Sequence, residues 1–317
     1  MTGSYEVAEP YEVTEPYVLA VDFGGTKANI AAVDGAGRTL AAQRLPMLPE
    51  RGAEQALVRT LDAARALIAE VGADRLGAAG VASPGIVHRD GVLLAPNVPG
   101  WSGLRLQDRF EEALGVATVC ATDVKAATLA EARWGQLRGV PTGMHLNIGT
   151  GIAVGVLVGG SVLTGAHGAA GEIGYNLRRV DGHSGPHEGR APLEEWSGGR
   201  AIGERGRSIG GDGSAASVFG KARTDPTARA FLTETLGELG LHLANAAILV
   251  DPARITVGGG MVESAEQVLP PLAEVLRRAV PFPPELVVAR FAQDGALVGA
   301  AALAWDSLRD GEPLAVP

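Results

Sequence analysis

The stretch YVLAVDFGGTKANIAAVD, Tyr17 to Asp34, narrows the possible folds more than any other part of the chain. One apolar run ends in Asp22; Gly24, Gly25, Thr26 and Lys27 follow, and a second apolar run leads to Asp34. The two runs predict strands over 18–22 and 29–33, joined at a tight bend. A plain hairpin needs only the glycines. The carboxylate, hydroxyl and ammonium beside them are surplus to the bend and point to a ligand.

Beyond Asp34 the pattern alternates. GAGR (35–38) turns the chain into a third strand over 39–45. Residues 53–72 have helical periodicity, with Leu57, Leu61, Ala64 and Ile68 on one face. Residues 76–87 read as a buried strand running into a Pro-Gly turn, LQDRFEEALG as a helix, VATVCATDV as a strand and KAATLAEARWG as a helix. A second cycle follows Val140-Pro141: a strand pair over 145–160 broken by Gly149-Thr150-Gly151, a long helix over 228–250, and a strand over 254–262 containing Gly258-Gly259-Gly260. A helix over EQVLPPLAEVLRRAV, a strand over ELVVARF and a helix over ALVGAAALAWDSL close the chain. Two halves that each open on an interrupted hairpin predict a duplicated α/β architecture with a cleft between them. Such clefts bind ligands at strand ends. Residues 1–16, rich in acids and proline, read as a flexible arm.

Composition excludes several functions. Apolar residues make up 46% and charged residues 20%, the balance of a core-rich globular chain. Aromatics are only 4%, and alanine and glycine dominate, so close helix–sheet packing is expected. A formal net charge of −9 without a basic block argues against nucleic acid or an anionic membrane surface as partner. Any polyphosphate must then be held by backbone N–H groups, a metal ion and a few local cations. The single cysteine, Cys120, excludes a disulfide framework and a thiolate metal cluster within one chain. With no apolar leader and no apolar run of about 20 residues, a cytoplasmic protein is expected.

Three glycine-bearing loops fall at strand ends: DFGGT (22–26), GTG (149–151) and GGG (258–260). Glycine lets the backbone approach a bulky anion and aim successive N–H groups at it. Taken singly, each loop is equally well explained as a turn; three across two halves point to phosphates. Asp22 suits an outer ligand to Mg²⁺, a hard cation that keeps its waters. Lys27 can bring positive charge to a terminal phosphate. None of the loops is a Walker loop, and GTGIAVG leads into a strand rather than the helix a dinucleotide fingerprint requires.

The blocks AVDFGGTKANIAAVD, GVASPGIV, LAPNVPGW, TDVKAATLAEARWG, LNIGTGIAVGVLVGG, GAHGAAGEIGY, PLEEWSGGRAI, ITVGGGMV and ALVGAAALA resemble, in this order, the sugar kinases of the ROK group of the actin/hexokinase superfamily. The resemblance runs from Val18 to about Trp305. It implies an actin-like, ribonuclease H-like α/β ATPase fold of two lobes with a central cleft. A small lobe is expected over 17–121, completed by a C-terminal helix over 296–310, and a large lobe over 122–295. The implied activity is ATP-dependent phosphoryl transfer to a hexose hydroxyl, usually the 6-OH.

Residue by residue, the resemblance implies that Asp22 organises Mg²⁺ and that Gly24, Gly25 and Thr26 hold phosphates. Gly149, Thr150 and Gly151 match the second phosphate loop, and Gly258, Gly259 and Gly260 the adenosine-side turn. Asp123 matches the family's catalytic base, placed to accept the proton of an attacking sugar hydroxyl; taken alone, it also reads as the N-cap of the following helix. Glu172 and Glu194 match sugar-binding acids, while Gly85, Asn97 and Gly100-Trp101 fall in sugar-side loops. The expected partner is a small-molecule sugar, and the family usually forms homodimers. The group also includes transcriptional repressors with an N-terminal helix-turn-helix, an element that residues 1–16 do not provide. A non-catalytic sugar sensor is the remaining alternative.

The chain departs from the family pattern at its sugar side. The usual Glu-x-Gly-His reads EIGY, with Tyr175 in place of histidine. In the usual Cys-x-Cys-Gly-x-x-Gly-Cys-x-Glu, the positions of the cysteines hold Gly185, His187 and Pro192. GHSGPHEG is not helical, so His183, His187 and Glu188 read as a solvated polar loop, and no zinc site is expected. Thr122 and Lys125 each replace a typical asparagine. Carboxylates kept while an amide is lost would suit an aminosugar, so kanosamine (3-amino-3-deoxyglucose) stands beside glucose-like hexoses as a candidate.

Overall fold

Strands β1 (Tyr17–Phe23), β2 (Lys27–Asp34) and β3 (Thr39–Pro46) run as an antiparallel meander in the computed structural model, which describes residues 15–95, 99–179 and 185–310. Apart from its last two residues, the arm expected over 1–16 lies outside the described residues. Helix α1 (Ala53–Val71) leads to β4 (Leu76–Ser83), parallel to β1. A small hairpin, β5 (Ile86–His88) and β6 (Gly91–Leu93), precedes α2 (Leu106–Leu114) and β7 (Thr118–Thr122), and the sheet order is β3-β2-β1-β4-β7. Helix α3 (Asp123–Trp134) starts directly at the end of β7.

The second sheet repeats this plan. Strands β8 (Thr142–Ile148), β9 (Ile152–Val158) and β10 (Ser161–Val162) are antiparallel neighbours. Helices α4 (Glu194–Ser197), α5 (Gly199–Gly206), α6 (Ala215–Ala222) and α7 (Pro226–Val250) lead to β11 (Arg254–Gly258), parallel to β8. Helix α8 (Ala265–Ala279) and strand β12 (Glu285–Val288) complete the order β10-β9-β8-β11-β12. Helix α9 (Gly295–Asp310) then returns to the first sheet, against β1, β4 and β7.

Alternation along β1 sets the layers. Leu19, Val21 and Phe23 point into a core of large apolar side chains that includes Leu57, Leu61 and Ala64 of α1 and Phe110 of α2. Val18 and Ala20 point the other way, into a cluster made mostly of alanine, with Ala126 of α3 and Ala300, Ala301 and Ala304 of α9. The small side chains let backbones close in. A methyl group on Gly80 would overlap the Ala300 carbonyl, and one on Gly299 would overlap the carbonyl of Ala126. On its other flank α3 meets β9, where a methyl on Gly155 would overlap Thr128. Helices α3 and α9 thus fill the seam between the sheets, the close helix–sheet packing expected from so few aromatics.

Some boundaries differ from the expected ones. The strand read through Val124 ends at Thr122, whose Oγ1 accepts from Lys125 N at 3.3 Å and caps α3. Asp123 is therefore the first helical residue rather than the cap. The strand read to Val262 ends at Gly258; Gly259, at φ 87°, turns the chain into the 3-10 helix Gly260–Ser264. Among the described residues no helix is long and apolar enough to cross a membrane.

Candidate active site

Strands β1, β7, β8 and β11 all deliver residues to one cavity of about 560 Å³ between the sheets. Its wall takes Asp22 from the end of β1, Asp123 beyond β7, Asn147 and Gly149 at the end of β8, and Gly259 beyond β11. These are the carboxyl ends of strands that are parallel within each sheet, where open α/β sheets leave a crevice. The volume falls within the usual range of small-molecule sites.

Asp22 is set by its neighbour across the hairpin. Asn29 lies directly opposite it in the β1–β2 register, and Asn29 Nδ2 donates to Asp22 Oδ2 at 3.1 Å. Arg44 Nε donates in turn to Asn29 Oδ1 at 2.8 Å. Burial, aided by the charge of Asp123, pushes the Asp22 carboxyl up to about 6, against the lowering pull of Asn29 and Lys27. The bend closes through Gly24 N donating to Lys27 O at 2.9 Å. Gly24 and Lys27 line the cavity; Gly25 and Thr26 are exposed at the tip and do not.

The other two glycine loops divide their labour. Gly149 and Thr150 line the cavity and are braced by the start of α5, with Gly199 N donating to Gly149 O at 2.9 Å. Gly151 turns away instead, against Glu194, whose carboxylate a methyl group there would overlap. Gly259 and Gly260 line the cavity, whereas Gly258 lies over His145, and a Cβ there would sit 2.8 Å from the imidazole Cε1. His145 itself reaches the wall; burial holds it down at about 4, and Nδ1 lies 2.8 Å from Thr256 Oγ1. Gly151 and Gly258 therefore serve packing, a use that their neighbours' phosphate-loop pattern hides.

Asp123 heads a cluster of acids. Its Oδ1 accepts from Val124 N at 2.7 Å, and with Thr122 acting as cap the carboxylate remains on the wall. Burial raises its pKa, the Val124 N–H and Lys125 lower it, and Glu194 raises it. Glu172 is pushed up to about 7 by burial, with Lys125 opposing and the charges of Asp123 and Glu194 adding to the rise. Glu194 Oε2 accepts from Ile152 N at 3.1 Å. The Tyr175 phenol, pushed up to about 12 by burial and by Glu172 and Glu194, belongs to the same group. Lys125 Nζ lies 3.9 Å from Glu172 Oε1. The structure thus gathers Glu172, Glu194, Tyr175 and Lys125 in one cluster with Asp123, which itself lines the glycine-bearing cavity.

The sequence profile of the ROK family matches residues 18–307. The chain belongs to the ROK family. It is 28% identical over 323 residues to the glucokinase of Streptomyces coelicolor, covering 93% of this chain and 98% of that enzyme. It is 34% identical over 297 residues to the N-acetylmannosamine kinase of Shigella boydii, covering 90% and 97%. The crystal structure of a ROK family glucokinase from Streptomyces griseus, in complex with glucose and AMPPNP, superposes with a TM-score of 0.76 at 30% identity, over 92% of this chain and 99% of that one. The fold is the actin-like ATPase fold of these ROK enzymes.

The remaining candidates spread out. Asn97 and His183 lie outside the described residues. Gly85, at φ 79°, makes the turn from β4 to β5, pressed against Leu93 and Ala95. Trp101 is fully buried, with Nε1 donating to Ser83 Oγ at 2.8 Å and its ring 4.8 Å edge-on from Phe23. It supports the end of β4 from the core. Among the described residues no group of three or more His, Cys, Asp or Glu is arranged to hold a metal ion. Sequence reasoning missed Asn29, His145 and Asn147, and the apolar wall of Ala215, Ala216 and Phe219 on α6.

Proposed function

We propose that the protein is an ATP-dependent hexose kinase that phosphorylates the 6-hydroxyl of a hexose or aminohexose, with Asp123 as general base. The observation that carries this reading is the opening of Asp22 and Asp123 onto one cavity that the three glycine loops share. Thr150 and Gly260 supply N–H groups and Lys27 an ammonium for the phosphates, while Gly24, Gly149 and Gly259, whose own N–H groups donate to backbone carbonyls, let the chain come close. Ala215, Ala216, Phe219 and Met261 offer an apolar wall for the base. Beside Asp123, Glu172 and Glu194 accept hydrogen bonds from ring hydroxyls, and Asp123 accepts the proton of the attacking one. Phosphoryl transfer needs mainly positioning and charge stabilisation, which a cleft of fixed donors provides.

Mg²⁺ fits the residues present. Asp22 is a hard oxygen donor on the wall, and the neighbouring Asp123 charge adds to the raising of its pKa, an excess of negative charge that a divalent cation relieves. Asp22 would hold the ion through water, and the ion would neutralise charge on the phosphate oxygens. Residues 17–121 with 296–310, and 122–295, are read as the two lobes, and the working assembly as a homodimer.

Glucose-like hexoses, N-acetylmannosamine and kanosamine form the substrate panel. ADP release by the full chain should depend on one of these sugars. Asp123→Asn should lose about a hundredfold or more in kcat while still shifting in melting temperature with sugar and with nucleotide. Full turnover in that variant would remove the assigned base; binding without turnover in the wild type would favour the sensor.

A further inference from the structure

Lys125 is an anomaly that the kinase reading leaves unexplained. Lysine is almost never fully buried unless it is paired. Here the residue is 6% exposed, and Nζ is buried without a hydrogen-bond partner among the described residues. The nearest acid, Glu172 Oε1 at 3.9 Å, is an ion-pair neighbour beyond hydrogen-bond reach. Burying an ammonium this way is costly: burial lowers the Lys125 pKa, and the charges of Glu172 and Asp123 counter it only in part.

Two acids act on it. Asp123, from the first turn of the same helix, and Glu172, from the loop after β10, act on Lys125 directly; Glu194 of α4 acts in turn on both of these acids, and the Tyr175 phenol lies within range of Glu172 and Glu194. Carboxylates crowded in a pocket of low polarity cannot all stay ionised without a counter-charge. Glu172 and Asp123 are the groups that Lys125 stabilises in the charged form.

We propose that Lys125 is the specificity-determining residue of the sugar pocket: it supplies from within the protein the positive charge beside Asp123 and Glu172, so the pocket takes a hexose without an ammonium group and rejects one that carries it. The inference rests on the kinase reading and chooses between its two substrate classes. Neutral hydroxyls can donate to Glu172 and Glu194 whether or not Lys125 is present. A sugar ammonium entering the same cluster meets a resident cation, and like charges at such range inside a protein repel strongly. Lys125 acts through the acids and is not asked to touch the sugar.

The test compares glucose with glucosamine and 3-amino-3-deoxyglucose at a pH where the sugar amines are protonated, in the wild type, Lys125→Met and Lys125→Arg. The wild type should prefer glucose in kcat/KM. Lys125→Met should move the ratio toward the ammonium sugars by about tenfold or more, a small part of what a unit charge at this range exerts. Lys125→Arg, which keeps the charge, should retain the wild-type order. An unchanged ratio in Lys125→Met, or a wild type that prefers an ammonium sugar, overturns the proposal; the second result decides even where neither variant folds. Failure of every sugar to be turned over would instead defeat the kinase reading, and calorimetric affinities for the same sugars would then give the ratio.

Discussion

Gly151 and Glu194 leave no space for a side chain between them, since a methyl group on Gly151 would overlap the Glu194 carboxylate. The next N–H, of Ile152, donates to Glu194 Oε2 at 3.1 Å, so the second glycine loop fixes the acid by contact and by hydrogen bond together. Gly151→Ala should push this carboxylate off its position. The expected result is a rise of about tenfold in the KM for sugar, the scale of one displaced charge-assisted hydrogen bond, with little change in the KM for ATP. Steady-state kinetics with each substrate varied in turn checks it, and equal effects on both would count against the assignment.

Asn29 holds Asp22 across the hairpin. Asn29→Leu keeps the size but removes the donor to a carboxylate, a bond worth about 1.5–3 kcal/mol. Asp22 should then be harder to ionise, and the Mg²⁺ concentration for half-maximal rate should rise several-fold. A titration of rate against Mg²⁺ measures this, and an unchanged requirement would take Asp22 out of the metal's reach.

Glu172 makes stability depend on pH in a direction that can be worked out. Its folded pKa, about 7, lies above the ordinary 4.5. Between those values the folded state binds the proton more tightly than the unfolded chain does. The stabilisation is complete below the ordinary value and is lost as pH rises through the folded one. Glu172→Gln should therefore melt at a temperature that falls less between pH 4.5 and about 7 than the wild type's does. Parallel melting curves across that window would show that Glu172 titrates normally.

Trp101 tests the core support of the site. Trp101→Phe keeps an aromatic ring near Phe23 but leaves the buried Ser83 hydroxyl without the indole donor. The loss should be about 1–3 kcal/mol in urea unfolding, with both KM values nearly unchanged. A large rise in the KM for sugar would return Trp101 to the sugar pocket.

Much of this was legible in the chain itself. The hairpin ending in Asp22, the buried face of α1 at Leu57, Leu61, Ala64 and Ile68, and the strand-end glycines follow from periodicity and turn chemistry, which act locally. What could not be read depends on register and burial. Asn29 looks like any polar residue on a strand until pairing sets it opposite Asp22. Thr122 and Asp123 are both good caps, and only the backbone shows that Thr122 takes that place. Glycines 151 and 258 sit in loops that read as phosphate cradles, yet their neighbours in space, Glu194 and His145, come from distant segments. The enclosure of Lys125 is likewise a product of tertiary packing, since a lysine in a helix normally reaches water.

Helix α3 begins at Asp123 and is pressed on its flanks by Gly299 and Gly155. The rod that carries the proposed base is also the spacer that keeps the two sheets apart. Bulk added at either glycine would be transmitted along a stiff element to the Asp123 carboxylate. Drift at this joint is therefore constrained by chemistry as much as by folding.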